Sequence, residues 1–215
     1  FGVPNSKIRV LNPPYVGGGF GVRIGLSAKA EPIAVALAMQ AGKPVRVIYS
    51  REEDFMASDT RHGGYVTVKL GAKKDGTFHA LDLKAALNGG AYCSFSTETP
   101  GVLGAMGLAV YRIPNQSYYG HSVYTNVTPA GAMRGFGNPQ AMFPIESVVD
   151  MMAEELGMDP LELRLKNIMR AGDPWCLPYP CQSTGLAECI ERGAKSIGWE
   201  RRGSLNQPGA KKLRG

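Results

Sequence analysis

Two short stretches of this sequence set several glycines beside an aromatic residue: Gly17-Gly18-Gly19-Phe20-Gly21 and, after Ala130-Gly131-Ala132-Met133, Arg134-Gly135-Phe136-Gly137. Glycine has no Cβ, so consecutive main-chain N–H groups can turn toward one point, which suits an anion. Each stretch precedes a helix-forming run, whose N-terminus adds partial positive charge. For Gly17 to Gly21, a tight turn packed under a helix is an equal alternative. Common nucleotide patterns fit poorly. A dinucleotide fingerprint needs G-x-G-x-x-G in register, and Gly25 falls out of it. A phosphate loop needs Gly-Lys-Ser or Gly-Lys-Thr, which is absent. Arg134-Gly-Phe-Gly begins like an RNA-recognition motif, but Pro139 would break the central strand that motif requires.

Metal-ligating side chains are sparse. Cys93, Cys176, Cys181 and Cys189 form no CxxC pair, and His62, His79 and His121 do not share a helix face. A protein-ligated metal is therefore not expected. The cysteines read as free thiols in a reducing compartment, which points to the cytoplasm.

The elements that must position these loops follow from local pattern. Lys7–Leu11 and Val45–Tyr49 read as short strands. Ser27 is placed to cap a helix running to about Gln40, with Pro32 in its first turn and Gly42 as its stop. Ser50 and Glu53 form a capping box for a short helix. Residues 65–71 and 77–86 flank Asp75-Gly76 and predict a long antiparallel hairpin. Residues 89–117 lack a clean period and read as loop with one ill-defined helix, ahead of a strand near Ser122. Asn138-Pro139 opens a strong helix with Met142, Ile145, Val149, Met152 and Leu156 at helical spacing, and Gly157 ends it. Asp159-Pro160-Leu161-Glu162 starts another. The expected class is α+β, with mixed or antiparallel sheets and packed helices.

Composition bounds the rest. The 215 residues are 44% hydrophobic, enough for a sizeable core. No apolar run is long enough to span a membrane. From Glu200 onward, five bases face one acid, so four of the six net positive charges sit in that tail. It reads as a solvated linker rather than a nucleic-acid arm. The division expected is a domain over 1–199 and a basic flexible tail over 200–215. The missing initiator Met and the abrupt end suggest an internal piece of a longer chain.

Taken in order, Gly17-Gly-Gly-Phe-Gly, Arg51-Glu-Glu-Asp54, Arg61-His62, Asp75-Gly-Thr77, Arg134-Gly-Phe-Gly-Asn-Pro-Gln140 ahead of Glu146, and Leu161-Glu-Leu-Arg-Leu-Lys-Asn167 resemble the molybdenum-binding subunit of the xanthine dehydrogenase and aldehyde oxidoreductase family. The likeness covers roughly residues 1–195. It implies a molybdenum–pterin cofactor, with a cytosine dinucleotide form as one option, bound by Gly18, Gly19, Phe20, Gly21, Arg134 and Gly135. Phe136 and Ile24 would face a small-molecule substrate. A side chain at Gly19 is expected to collide with the cofactor or to forfeit a positive φ. The implied reaction is oxidation of an aldehyde, aromatic or N-heterocyclic carbon with oxygen taken from water. Electrons would pass to iron–sulfur clusters and FAD on partner domains or subunits, in a hetero-oligomer.

The resemblance also sets limits. The family's general-base glutamate lies beyond this sequence, so no residue here is assigned as catalytic, and the isolated chain is expected to be inactive. Purine hydroxylases carry Glu where Ile24 stands, which disfavours a purine. Carbon monoxide dehydrogenases carry Cys where Gly135 stands. Ala91–Phe95 resembles their cysteine motif but comes some forty residues early and is set aside as coincidence. A scaffold that has kept the fold is the alternative, and an RNA-binding module a weaker one. If the loops share one site, Gly17–Gly21 and Arg134–Gly137 must meet in space.

Overall fold

The computed structural model describes residues 1–24, 29–175 and 178–202. Its chain divides into two compact units. The first comprises Phe1–Thr67, Lys84–Gly104 and Tyr118–Met142; the second comprises Val68–Leu83, Ala105–Ser117 and the described residues from Phe143 onward. Three strands, β1 (Gly64–Ala72), β2 (Phe78–Gly90) and β3 (Asn115–Tyr124), form a sheet of order β1-β2-β3. The α-helices are α1 (Ala30–Ala41), α2 (Arg51–Ala57), α3 (Glu98–Gly107), α4 (Asn138–Leu156), α5 (Pro160–Asn167) and α6 (Leu186–Ile197). The class is α+β, as the sequence predicts.

The β1–β2 hairpin forms where Asp75-Gly76 places it. Lys73 N–H reaches the Thr77 carbonyl at 2.8 Å, and Gly76 N–H reaches the Lys73 carbonyl at 2.9 Å. Only Gly76, at φ +82°, needs the left-handed region, so the turn is longer than a two-residue one. The third strand runs the other way round from a meander. Asn115 Nδ2 donates to the His79 carbonyl at 2.9 Å, and Thr125 N–H donates to the Gly90 carbonyl at 3.0 Å. Residue numbers rise together along both strands, so β3 is parallel to β2, with α3 in the crossover. The sheet is therefore mixed.

Alternation along β2 builds the core. In the second unit Phe78, Leu81 and Leu83 are buried, with Tyr111, Ile145, Val149, Leu163 and Ile168. Ile145, Val149 and Ala153 recur at four-residue intervals on α4 and supply its buried stripe. In the first unit Ala85, Leu87, Leu103, Ala132 and Ala141 are buried. Each large aliphatic side chain so placed stabilises its unit by about 1.5–3 kcal/mol relative to exposure.

Several local expectations hold and some do not. The α2 capping box is present: Glu53 N–H donates to Ser50 Oγ at 3.2 Å, and Ser50 N–H to Glu53 Oε2 at 2.7 Å. Asp159 caps α5 through Leu161 N–H at 2.7 Å. Helix α1 ends at Gly42 (φ +61°), and the Ser27 cap lies outside the described residues. Lys7–Leu11 and Val45–Tyr49 are not strands. Residues 45–49 do alternate half-buried and exposed, but a strand also needs a neighbour to pair its N–H and C=O groups, and no described segment provides one. Strand β3 begins seven residues before Ser122. Helix α6 and the Pro144 inside α4 were not foreseen. Of the tail from residue 200, positions 203–215 lie outside the described residues.

Candidate functional site

Within the first unit, main-chain pairing carries the second glycine stretch to the end of β2. Ala91 N–H bonds the Val127 carbonyl at 3.0 Å, and Ala130 N–H bonds the Gly89 carbonyl at 2.9 Å. Thr60 then forms a parallel bridge with Ala130, giving its N–H to the Pro129 carbonyl (3.0 Å) and accepting Gly131 N–H (2.9 Å). This zips the segment carrying Asp59, Arg61 and His62 alongside the approach to Arg134.

The two glycine stretches meet. Arg134 N–H donates to the Phe20 carbonyl at 2.7 Å. Gly21 adopts φ +96°, and a Cβ there would lie 2.8 Å from the Ala132 carbonyl oxygen. Only glycine permits that approach. The expected convergence of sequence-distant loops is therefore present. The main-chain N–H groups of Gly18, Gly19, Phe20, Gly21, Gly135 and Gly137 donate to no described residue. The Arg134 side chain is exposed, and no described residue pairs with its guanidinium. Helix α4 begins at Asn138, directly after the second stretch. Uncommitted N–H donors, a guanidinium and a helix N-terminus form a donor set for a polyanionic group.

Backbone strain marks the same region. Among the described residues, Phe20 (φ +52°), Ser94 (φ +41°) and Phe136 (φ +46°) are the non-glycine residues at positive φ, and all lie in the first unit. Bulky side chains rarely adopt that conformation, which costs on the order of 1–3 kcal/mol each. Phe136 is braced edge-on by Phe95, with ring centroids 5.7 Å apart and planes at 86°. Phe20 is 53% exposed and Ile24 52% exposed, so neither serves as core.

A polar layer supports the loops. Asp59, 4% exposed, accepts from Lys29 Nζ at 3.0 Å and from the Ser94 hydroxyl. His62, 2% exposed, shares a 2.9 Å hydrogen bond between Nε2 and Ser96 Oγ. Burial pushes the His62 pKa below its ordinary value, and the nearby Asp59 charge opposes this. Ser58 Oγ donates to Asp54 at 2.7 Å and accepts from Arg23 Nη1 at 3.0 Å. The Ser58 hydroxyl and the Arg23 guanidinium together hold the Asp54 carboxyl below its usual value. Arg61 Nη2 donates to the Arg134 carbonyl at 2.7 Å, and Gln140 Nε2 to the His62 carbonyl at 3.1 Å.

Of the residues predicted for the site, Phe20 meets Arg134 directly and Gly21 packs on Ala132, while Gly18, Gly19 and Gly135 flank these contacts in sequence. Ser94 and Phe95 were missed, because they lie in a segment without periodicity and nothing in a serine announces a left-handed backbone. Gly19 departs from expectation: its φ is not positive, and a Cβ there would meet only Arg23 Cβ at 3.8 Å. Among the described residues, no cluster of His, Cys, Asp or Glu is placed to hold a metal ion, and no helix is long and apolar enough to cross a membrane.

Comparison with known proteins identifies the family. The model of the molybdopterin cofactor-binding domain matches residues 1–168. The xanthine dehydrogenase molybdenum-binding subunit of Escherichia coli O157:H7 is 40% identical over 202 residues, 93% of this chain and 26% of that one. The nicotinate dehydrogenase large molybdopterin subunit of Eubacterium barkeri is 35% identical over 193 residues, 88% of this chain and 44% of that one. The solved aldehyde oxidoreductase from Desulfovibrio gigas superposes with a TM-score of 0.81 at 32% identity, covering 91% of this chain and 21% of that one. The chain spans about a quarter of the length of the first relatives it matches. The chain belongs to the molybdopterin cofactor-binding domain family, and to its xanthine dehydrogenase and aldehyde oxidoreductase branch of molybdenum-binding subunits.

Proposed function

We propose that the joined loops hold a molybdenum–pterin cofactor in the complete protein, which acts as a molybdenum hydroxylase on an aldehyde, aromatic or N-heterocyclic substrate. The observation that carries this reading is the Arg134–Phe20 main-chain link, which gathers six uncommitted N–H groups onto two touching loops. In the roles proposed, Gly18, Gly19, Phe20, Gly21 and Gly135 donate main-chain N–H groups to the cofactor, and the Arg134 guanidinium balances its negative charge. A cytosine dinucleotide extension would add further anionic oxygens for such donors. When bound, the cofactor supplies the redox and oxygen-transfer chemistry.

The chain's own residues orient and exclude. Phe136, its ring fixed against Phe95, offers an aromatic edge or face to a planar substrate, and Ile24 adds an apolar wall without a hydrogen bond to direct a purine. Electrons leave through iron–sulfur and flavin partners in a cytoplasmic hetero-oligomer, and the 215 residues alone are inactive. The test is molybdenum and pterin analysis of the full-length protein purified from its own host, beside the 215-residue chain. About one molybdenum per full-length chain and none in the short chain are expected. A metal-free full-length protein would favour a scaffold that has kept the fold.

A further inference from the structure

Arg134 is held on both sides of its own residue. Its N–H goes to Phe20, and its carbonyl accepts from Arg61. The other arm of Arg61 reaches Gln140 Oε1 at 3.4 Å, and Gln140 Nε2 returns to the carbonyl of His62, the residue next to Arg61. The circuit therefore closes on itself: guanidinium to side-chain amide, amide to main chain, and main chain back to the guanidinium. Arg61 is only half-buried, yet its backbone is fixed, because Thr60 bridges Pro129 and Gly131 immediately before it.

A planar guanidinium presents donors at fixed angles, so one side chain can set the distance between two acceptors. Here the acceptors belong to the loop that supplies Arg134 and to the first turn of α4. Phe136, at positive φ, lies between them and cannot relax without moving one or the other. The strained Arg134–Gly137 stretch is thus pinned at both ends by one residue outside it. The Phe20 link passes that constraint to the first glycine stretch.

We infer that Arg61, acting with Gln140, is a positioning residue for the site: it fixes the spacing of the N–H donors on the two loops and the attitude of Phe136. The inference rests on the cofactor reading above and adds to it a residue that touches neither cofactor nor substrate. A lysine keeps the charge and one donor direction but cannot span both acceptors. Arg61→Lys should therefore loosen the loop without leaving a buried vacancy.

The experiment uses the full-length protein with Arg61→Lys and, independently, Gln140→Leu. Each is measured for melting temperature, molybdenum and pterin content, the Mo(V) paramagnetic resonance signal, and kcat and KM. Both variants should melt within about 4 °C of the parent. Molybdenum content should fall severalfold. In molecules that keep the metal, the Mo(V) signal should shift and kcat should drop about tenfold or more, with a smaller change in KM. Parent-like metal content, spectrum and kcat in both variants would overturn the inference and leave the cofactor reading intact. Metal loss that only tracks a large fall in melting temperature would reduce Arg61 to a fold-stabilising residue and overturn it as well. A parent protein free of molybdenum and pterin would overturn both readings together.

Discussion

Asn167 Oδ1 accepts the main-chain N–H of Phe78 at 2.8 Å, joining the last residue of α5 to the first residue of β2. Its Nδ2 donates to the carbonyls of Gly76 and Leu163, both at 2.8 Å. One side chain, 2% exposed, thereby satisfies three main-chain groups around the hairpin turn. The Leu161–Asn167 motif that helps to mark the family ends on a structural residue rather than a chemical one.

Asn167→Ala leaves a buried N–H and a carbonyl without partners, each costing about 1–3 kcal/mol. Urea denaturation should show a loss of about 2–4 kcal/mol with an unchanged slope. Asn167→Asp cannot donate to the Gly76 or Leu163 carbonyls and should recover little of the loss. A midpoint within error of the parent for Asn167→Ala would mean that the turn finds other partners.

Gly21→Ala should separate the loops. Its Cβ would press on the Ala132 carbonyl from a backbone angle that alanine avoids, a cost of about 1–3 kcal/mol. In the full-length protein, cofactor content should fall before melting temperature does. Gly19→Ala meets only Arg23 Cβ, at an ordinary contact distance of 3.8 Å, and should leave the fold unchanged, so any loss of cofactor there reports contact with the cofactor itself. Equal metal content in parent and Gly21→Ala would remove the argument for a shared site.

His62 makes stability depend on pH. The unfolded chain takes up a proton on this imidazole near pH 6.5, whereas the buried folded form does so only at lower pH. Folding is therefore penalised progressively as pH falls below about 6.5, until the folded form can also be protonated. His62→Gln should flatten the slope of stability between pH 6.5 and 5, whatever it does to stability at pH 8. An unchanged slope would place the titration elsewhere.

In the second unit, Tyr111 Oη donates to Glu146 at 2.8 Å, and Arg164 Nε meets the other carboxylate oxygen at 2.8 Å. Burial, reinforced by the Glu146 charge, pushes the Tyr111 pKa well above its ordinary value. Tyr111→Phe should cost about 1 kcal/mol, and Arg164→Met more, because it leaves Glu146 without its cation. A double-mutant cycle should give a coupling of about 0.5–3 kcal/mol between them. Strict additivity would show that the three groups do not act as one network.

Much of the site was legible because it is written in residue types that restrict the backbone. The glycine-aromatic stretches, the cap at Asp159, the Ser50–Glu53 box and the Asp75-Gly76 turn each depend on local chemistry, and each stands where the sequence puts it. What the sequence hid depends on partners. Val45–Tyr49 has the alternation of a strand but lacks a neighbour among the described residues. Ser94 bends through a conformation that its side chain does not encode. Arg61 sits 73 residues from the carbonyl it holds, and the Thr60–Ala130 bridge brings their segments together.

The positive φ angles at Phe20 and Phe136 also constrain how these positions can change. A replacement must satisfy two requirements that pull apart: glycine or asparagine relaxes the torsion but loses the ring, whereas leucine or tryptophan keeps apolar bulk at the full torsional cost. In a saturation library selected for function, both positions should reject the small residues that the backbone prefers. Selected for folding alone, the same positions should favour them. The divergence between the two selections would measure, residue by residue, how much stability this protein gives up to keep an aromatic ring in place.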